Sequence, residues 1–132
     1  MEKSRKEFRI SELCPAFSHY TDAVWCNGFL FVSGIVACDQ SGKPVAKGDA
    51  VAQTEHIFSS LKLILDAAGL VPADILKVTI YATDISIRSA INPVRQRFFG
   101  EVRPASTLVE VSALVHPDLM VEVEAVAAKA DM

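Results

Sequence analysis

Glu110, Glu122 and Glu124 stand in two runs that alternate with period two, Ser106 to Ala113 and Met120 to Ala128. Alternation of that kind marks a strand with one buried face. Glu122 and Glu124 therefore share a face, about 7 Å apart at a rise of ~3.4 Å per residue. Partial burial gives a carboxyl group a chemistry that full solvation denies it. Desolvation raises its pKa, so that it holds and releases a proton closer to neutral pH, as a general acid or base. Solvent exposure, or pairing with Lys or Arg across strands, is the competing reading of the same residues. Spacing alone does not rank Glu122 against Glu124.

Other chemistries lack a frame. There is no Walker loop, dinucleotide fingerprint or HExxH, and Ser33-Gly34 lacks the GxSxG context of a nucleophile elbow. His19, His56 and His116 show no metal-ligand spacing among themselves or with the cysteines, so no metal is expected. His56 falls mid-helix beside an apolar stripe and reads as structural. Cys14, Cys26 and Cys38 are odd in number and form no CxxC. They read as reduced, structural thiols of a cytoplasmic protein without a disulfide framework. A net charge of −3 with no Lys/Arg run leaves no electrostatic footprint for nucleic acid. The first residues, MEKSRKEFRI, lack the apolar core of a signal peptide. No run of ~18 apolar residues is present to span a membrane. At 132 residues and 51% hydrophobic, the expectation is one domain over residues 1–132.

The elements that must position the glutamates can be read in order. Residues 1–4 are polar and expected to be loose. Lys6 to Ile10 reads as a first strand. Ala23 to Cys26 and Phe29 to Ser33 flank Asn27-Gly28, a pair suited to the positive φ angles of a type I′ hairpin turn. Phe29 to Val32 is apolar throughout, as in a strand covered on both faces. A loop over Asp39 to Gly48 leads to Asp49, a helix N-cap candidate, and an amphipathic helix to about Ala68, stopped by Gly69. Ile75 to Thr83 alternates as a strand. Asp84 and Ser86 open a second helix that ends at Gly100 and either begins near residue 90 or kinks at Pro93. The order β-β-β-α-β-α-β-β points to an α+β fold, one sheet with both helices on one face. The other face would need cover, which small domains find by oligomerising.

The blocks AFSHYTDAV, FLFVSG, LDAAGL, ADILKVTIYATDI, INPVRQRFFG, RPASTLVEVSAL and VEVEAVA, in that order, resemble the RidA/YjgF family of enamine/imine deaminases over roughly residues 12–128. The resemblance implies a chorismate-mutase-like fold with a six-stranded mixed sheet. It implies a homotrimer with the sheets facing its core and clefts between subunits. The implied activity is hydrolysis of a small reactive enamine or imine to a carbonyl compound and ammonia, without metal or organic cofactor. Some members are described as endoribonucleases, a role to which this acidic sequence lends little support.

Carried over residue by residue, the resemblance makes Glu122 the residue that handles the water and leaves Glu124 structural. Tyr20, Ser33, Gly34 and Asn92 become substrate-binding positions. The family's RPAR motif, whose second Arg grips the substrate carboxylate, reads Arg103-Pro104-Ala105-Ser106 here. A hydroxyl cannot replace a guanidinium fork. Ser106 thus implies a substrate other than the usual small 2-imino acid: one that lacks the carboxylate, is larger, or is held by another cation. Arg103 matches the motif's first Arg and is expected in a structural or surface salt bridge. Two alternatives to the enzyme remain, a non-catalytic metabolite-binding trimer and a chaperone-like trimer.

Overall fold

A computed structural model describes residues 5–129; the segment expected to be loose, residues 1–4, lies outside the described residues. The strands are β1 (Arg5–Phe8), β2 (Ala23–Cys26), β3 (Phe29–Val36), β4 (Ile75–Ala82), β5 (Ala105–Glu110) and β6 (Val121–Ala128). They form one sheet in the order β1-β2-β3-β6-β4-β5, antiparallel except for the parallel pair β4 and β5. The helices are α1 (Ala50–Ala67) and α2 (Arg88–Phe99). This is the α+β architecture expected, a six-stranded mixed sheet with both helices on one face.

Local signals account for most of the element ends. Asn27 and Gly28 take φ values of 51° and 86°, which turns β2 tightly into β3. Asp49 accepts the Ala52 N–H at 2.9 Å and caps α1. Gly69, at φ 74°, reverses the chain so that the Leu70 N–H reaches the Leu65 carbonyl at 2.9 Å. The second helix begins at Arg88 after a 3-10 turn over Ile85–Ile87, with Pro93 inside it.

The helix layer covers one face of the sheet. Ile57, Leu61, Ile64 and Leu65 of α1, with Ile91 and Val94 of α2, are buried along with Leu30, Val32, Val78, Ile80, Val121 and Val123 of the sheet. Phe58 of α1 stacks on Phe98 and Phe99 of α2, with ring centroids 4.7 and 5.8 Å away, and joins the two helices. On the opposite face Phe29 and Phe31 remain 44% and 52% exposed, so the apolar run in β3 is covered on one side only in the single chain.

Three strands differ from the sequence reading by more than one residue at an end. The first strand lies at Arg5–Phe8. β3 runs past Ser33 to Val36, because Ser33 and Gly34 form a bulge rather than a stop: Val32 pairs with Ala125 and Ile35 with Val123, leaving two residues opposite Glu124. β5 ends at Glu110, since its one partner, β4, ends at Ala82.

The cysteines need a correction as well. Cys14 and Cys38 are joined as a disulfide, with Cα atoms 5.5 Å apart, and Cys26 is free. A separation of 24 residues hid this pair. The loop after β1 lies back along the residues that follow β3, and spacing carries no trace of that. The pairing removes the thiol-based ground for a cytoplasmic assignment. Among the described residues no helix is long and apolar enough to cross a membrane.

Gln53 is fully buried in α1 and holds the entry to β6. Its Nε2 donates to the Asp118 carbonyl at 2.9 Å, and its Oε1 accepts the Met120 N–H at 2.8 Å. Gln53→Leu would strand both backbone groups, at about 1–3 kcal/mol each. The urea midpoint of the variant should fall markedly; an unchanged midpoint would contradict this role.

Candidate functional site

Glu122 stands on the open face of the sheet, in register with Val36 of β3 and Tyr81 of β4. It is half-buried. Burial pushes its pKa above the ordinary carboxylate range, and the Glu124 charge adds to the effect. The Tyr81 hydroxyl is pushed up too, by burial first and then by Glu124 and Glu122. The sign of the linkage follows. Ionised Glu122 is disfavoured in the fold, so its contribution to stability is full below the unfolded pKa and is lost as pH rises through the raised value.

Glu122 lines a cleft of about 400 Å³ with Phe17, Ser18, Tyr20, Ser33, Gly34, Val36 and Val115. Glu124 lines a separate hollow with Phe31, Lys77 and Thr79. The equal spacing of the two carboxylates is thereby resolved by their neighbours on β3. In the cleft, Tyr20 Oη accepts the Phe17 N–H at 3.1 Å and keeps its own proton for a ligand. Ser33 Oγ donates to the Thr21 carbonyl at 2.7 Å, which leaves its lone pairs facing outward as acceptors.

Gly34 is glycine for reasons of space. A methyl group there would sit 2.8 Å from the Glu122 carboxyl carbon and collide with Oε2. The bulge turns this bare α-carbon toward β6, and the carboxyl group lies against it. Phe17, Ser18 and Tyr20 arrive on the loop before β2. That loop is held by the Cys14–Cys38 disulfide and by Asp22, whose Oδ2 accepts the Ile10 N–H at 2.7 Å.

Asn92 and Ser106 do not join this cleft within one chain. Ser106 pairs in register with buried Val78 and so belongs to the helix side of β5, at the sheet edge. Three strand spacings, roughly 14 Å, separate β5 from β3. The Ser106 hydroxyl accepts from Arg95 Nη2 at 2.7 Å, and Arg95 lies three residues beyond Asn92 on α2. Sequence reasoning passed over Arg95. Its one signal was the i, i+3 step from Asn92, which places the two on one helix face but says nothing of Ser106.

The remaining candidates lie outside the cleft. Glu110 accepts the Ile85 N–H at 2.9 Å and anchors the 3-10 turn. His56 Nε2 bonds the Cys38 carbonyl at 3.0 Å. Arg103 is exposed, and none of the ion pairs among the described residues includes it, contrary to the salt bridge expected. Among the described residues no three His, Cys, Asp or Glu side chains converge to hold a metal ion.

A carboxyl group whose pKa is raised by burial, set over a bare α-carbon in a bulge beside a phenol and a hydroxyl, is suited to acid–base work on a small polar ligand. The family described as Endoribonuclease L-PSP matches residues 11–129. The chain belongs to this family, RidA/YjgF. A RutC family protein of Pyrococcus horikoshii is 37% identical, over 94% of this chain and 98% of that one. The 3-aminoacrylate deaminase RutC of Acinetobacter baylyi is 37% identical, over 86% of this chain and 89% of its own length. Among solved structures, RidA from an Antarctic Psychrobacter superposes with a TM-score of 0.86 at 27% identity, over 94% of this chain and 99% of that one. The Rid family protein YyfA of Yersinia pestis superposes at 0.88 with 30% identity, over 96% and 100%.

Within the RidA/YjgF fold, Gly34→Ala isolates the contact with Glu122. The clash falls on the end of a flexible side chain, so thermal stability should change by less than about 1 kcal/mol. The carboxyl group should swing out of the cleft, visible as displaced Glu122 density in a crystal structure of the variant. Density unmoved from the parent position would contradict the packing described.

Proposed function

We propose that the protein hydrolyses a reactive enamine or imine to a carbonyl compound and ammonia, in clefts between the subunits of a homotrimer. The observation that carries this reading is the half-buried Glu122 carboxyl group, its pKa raised by burial, in a cleft with Tyr20, Ser33 and Gly34. The relative named 3-aminoacrylate deaminase supports the same reaction class.

Water adds to the imine carbon as a proton reaches the nitrogen. The resulting carbinolamine then collapses with departure of ammonia and return of one proton. An enamine first takes a proton on carbon and enters as the imine. No oxidation state changes overall, so one proton-carrying group suffices. Glu122 takes the proton of the attacking water and delivers it to the departing nitrogen, and its raised pKa narrows the gap to both partners. Tyr20, Ser33 and Asn92 orient the substrate.

Two features favour the trimer. The open sheet face exposes Phe29, Phe31 and Val109, at 44%, 52% and 38%. Exposed apolar surface of this kind favours association with further copies. The site residues also fall into two separate groups on one chain, {Tyr20, Ser33, Gly34, Glu122} and {Asn92, Ser106}, and adjoining subunits can bring one group of each together. The non-catalytic binding alternative draws on Ser106 alone, which leaves the family's carboxylate-gripping position without a charge of its own.

The test is to generate 2-iminopropionate in situ and follow its disappearance. The protein should accelerate the loss, and Glu122→Gln should slow it by about 100-fold or more. Both proteins should show a native mass three times that of the 14.3 kDa chain. No acceleration over buffer would refute deamination of a small 2-imino acid, and a monomer mass would refute the composite cleft.

A further inference from the structure

Arg95 is out of keeping with an ordinary surface arginine. Its neighbour Arg97 is exposed and pairs with Glu55 at 3.7 Å. Arg95 is half-buried, and none of the ion pairs among the described residues includes it. Burial pulls its pKa down, so the cation has lost water without gaining an anion. Among the described residues, its side-chain partner is the Ser106 hydroxyl at 2.7 Å. A guanidinium has five N–H donors in a planar fork, and a single hydroxyl occupies one of them. A partly desolvated guanidinium with an open fork is matched in charge and shape by a carboxylate.

We propose that Arg95 is the carboxylate-binding residue of this protein, held in place by Ser106, and that the ligand is a small 2-imino or 2-oxo acid. This rests on the reading above, in which α2 and β5 of one subunit close the Glu122 cleft of the next. A cation is restored at the position where the RPAR motif has lost its own, reached from α2 instead of from β5. Ser106 completes the arrangement. Its oxygen accepts from Arg95 Nη2, and its own proton is left to donate to the same carboxylate. Asn92, one turn earlier on α2, lies on the same helix face as Arg95. The substrate class thus narrows to acids, although Ser106 taken by itself points away from them.

Binding separates this claim from the catalytic one. The full-length protein is titrated with 2-oxobutyrate and, separately, with its methyl ester, which keeps the ketone and lacks the charge. The same titrations are made on Arg95→Ala, Arg95→Lys and Arg97→Ala, each first checked for native mass and circular dichroism. Parent protein and Arg97→Ala should bind the acid and discriminate against the ester. Arg95→Ala should bind the acid about thirtyfold more weakly or worse, with ester binding unchanged. Arg95→Lys should fall between them, since an ammonium keeps the charge and loses the fork. In the Arg95→Ala background, Ser106→Arg should recover acid binding. Equal binding of acid and ester by the parent, or equal binding of the acid by the parent and Arg95→Ala, would overturn the proposal. Acid binding that depends on Arg95, without acceleration of imine loss, would leave the clamp standing and remove the deaminase. Acceleration with Arg95-independent binding would do the reverse.

Discussion

The carboxyl group of Glu122 lies against the bare α-carbon of Gly34, and most of the site follows from that one contact. For it to exist, β3 must carry a bulge, so that a residue without a side chain faces β6. β6 must also enter the sheet in a fixed register, which buried Gln53 secures through the Asp118 carbonyl and the Met120 N–H. A slip of one residue would turn Glu122 into the core and Val123 out of it. The contact withdraws the carboxyl group from water without supplying a cation, and burial accordingly holds its proton more firmly. Such a group costs the fold stability once ionised, a strain that functional sites commonly carry and cores rarely do.

Where a feature is local, the sequence showed it. Asp49 and Gly69 bound α1, and Asn27-Gly28 makes the hairpin, because caps and tight turns are decided by a few adjacent residues. The alternation in β6 likewise gave the right faces to Val121, Val123, Ala125 and Ala127. Features decided between strands stayed hidden. Glu122 and Glu124 are equivalent along β6, and only the neighbouring bulge tells them apart. Ser33-Gly34 looked like an end to β3 because a bulge and a strand stop use the same small residues. The Cys14–Cys38 pair and the Arg95–Ser106 contact join segments 24 and 11 residues apart through the fold, and neither has a spacing rule. Family resemblance ranked Glu122 first and flagged Ser106, but it was silent on the cation beside Ser106.

In the proposed reading, the two groups of site residues leave the single chain chemically incomplete. The middle of the sheet offers a proton carrier, a phenol and a hydroxyl, and the β5 edge offers an amide, a hydroxyl and a guanidinium. Assembly in this account does more than hide Phe29 and Phe31, because it also brings a charge-reading surface to a proton-handling one. The loop that carries Phe17 and Tyr20 is tied at Cys14 to Cys38, so one wall of the cleft is fixed before any ligand arrives. Preorganisation of this sort lowers the ordering cost of binding.

The central claim is that Glu122, and not Glu124, is the carboxyl group tuned to carry a proton. Titration of the side-chain carboxyl carbons by NMR, with Glu122→Gln and Glu124→Gln used to assign the two resonances, tests it directly. The account predicts a Glu122 midpoint clearly above the usual value of about 4.3. A midpoint at or below that value would contradict it.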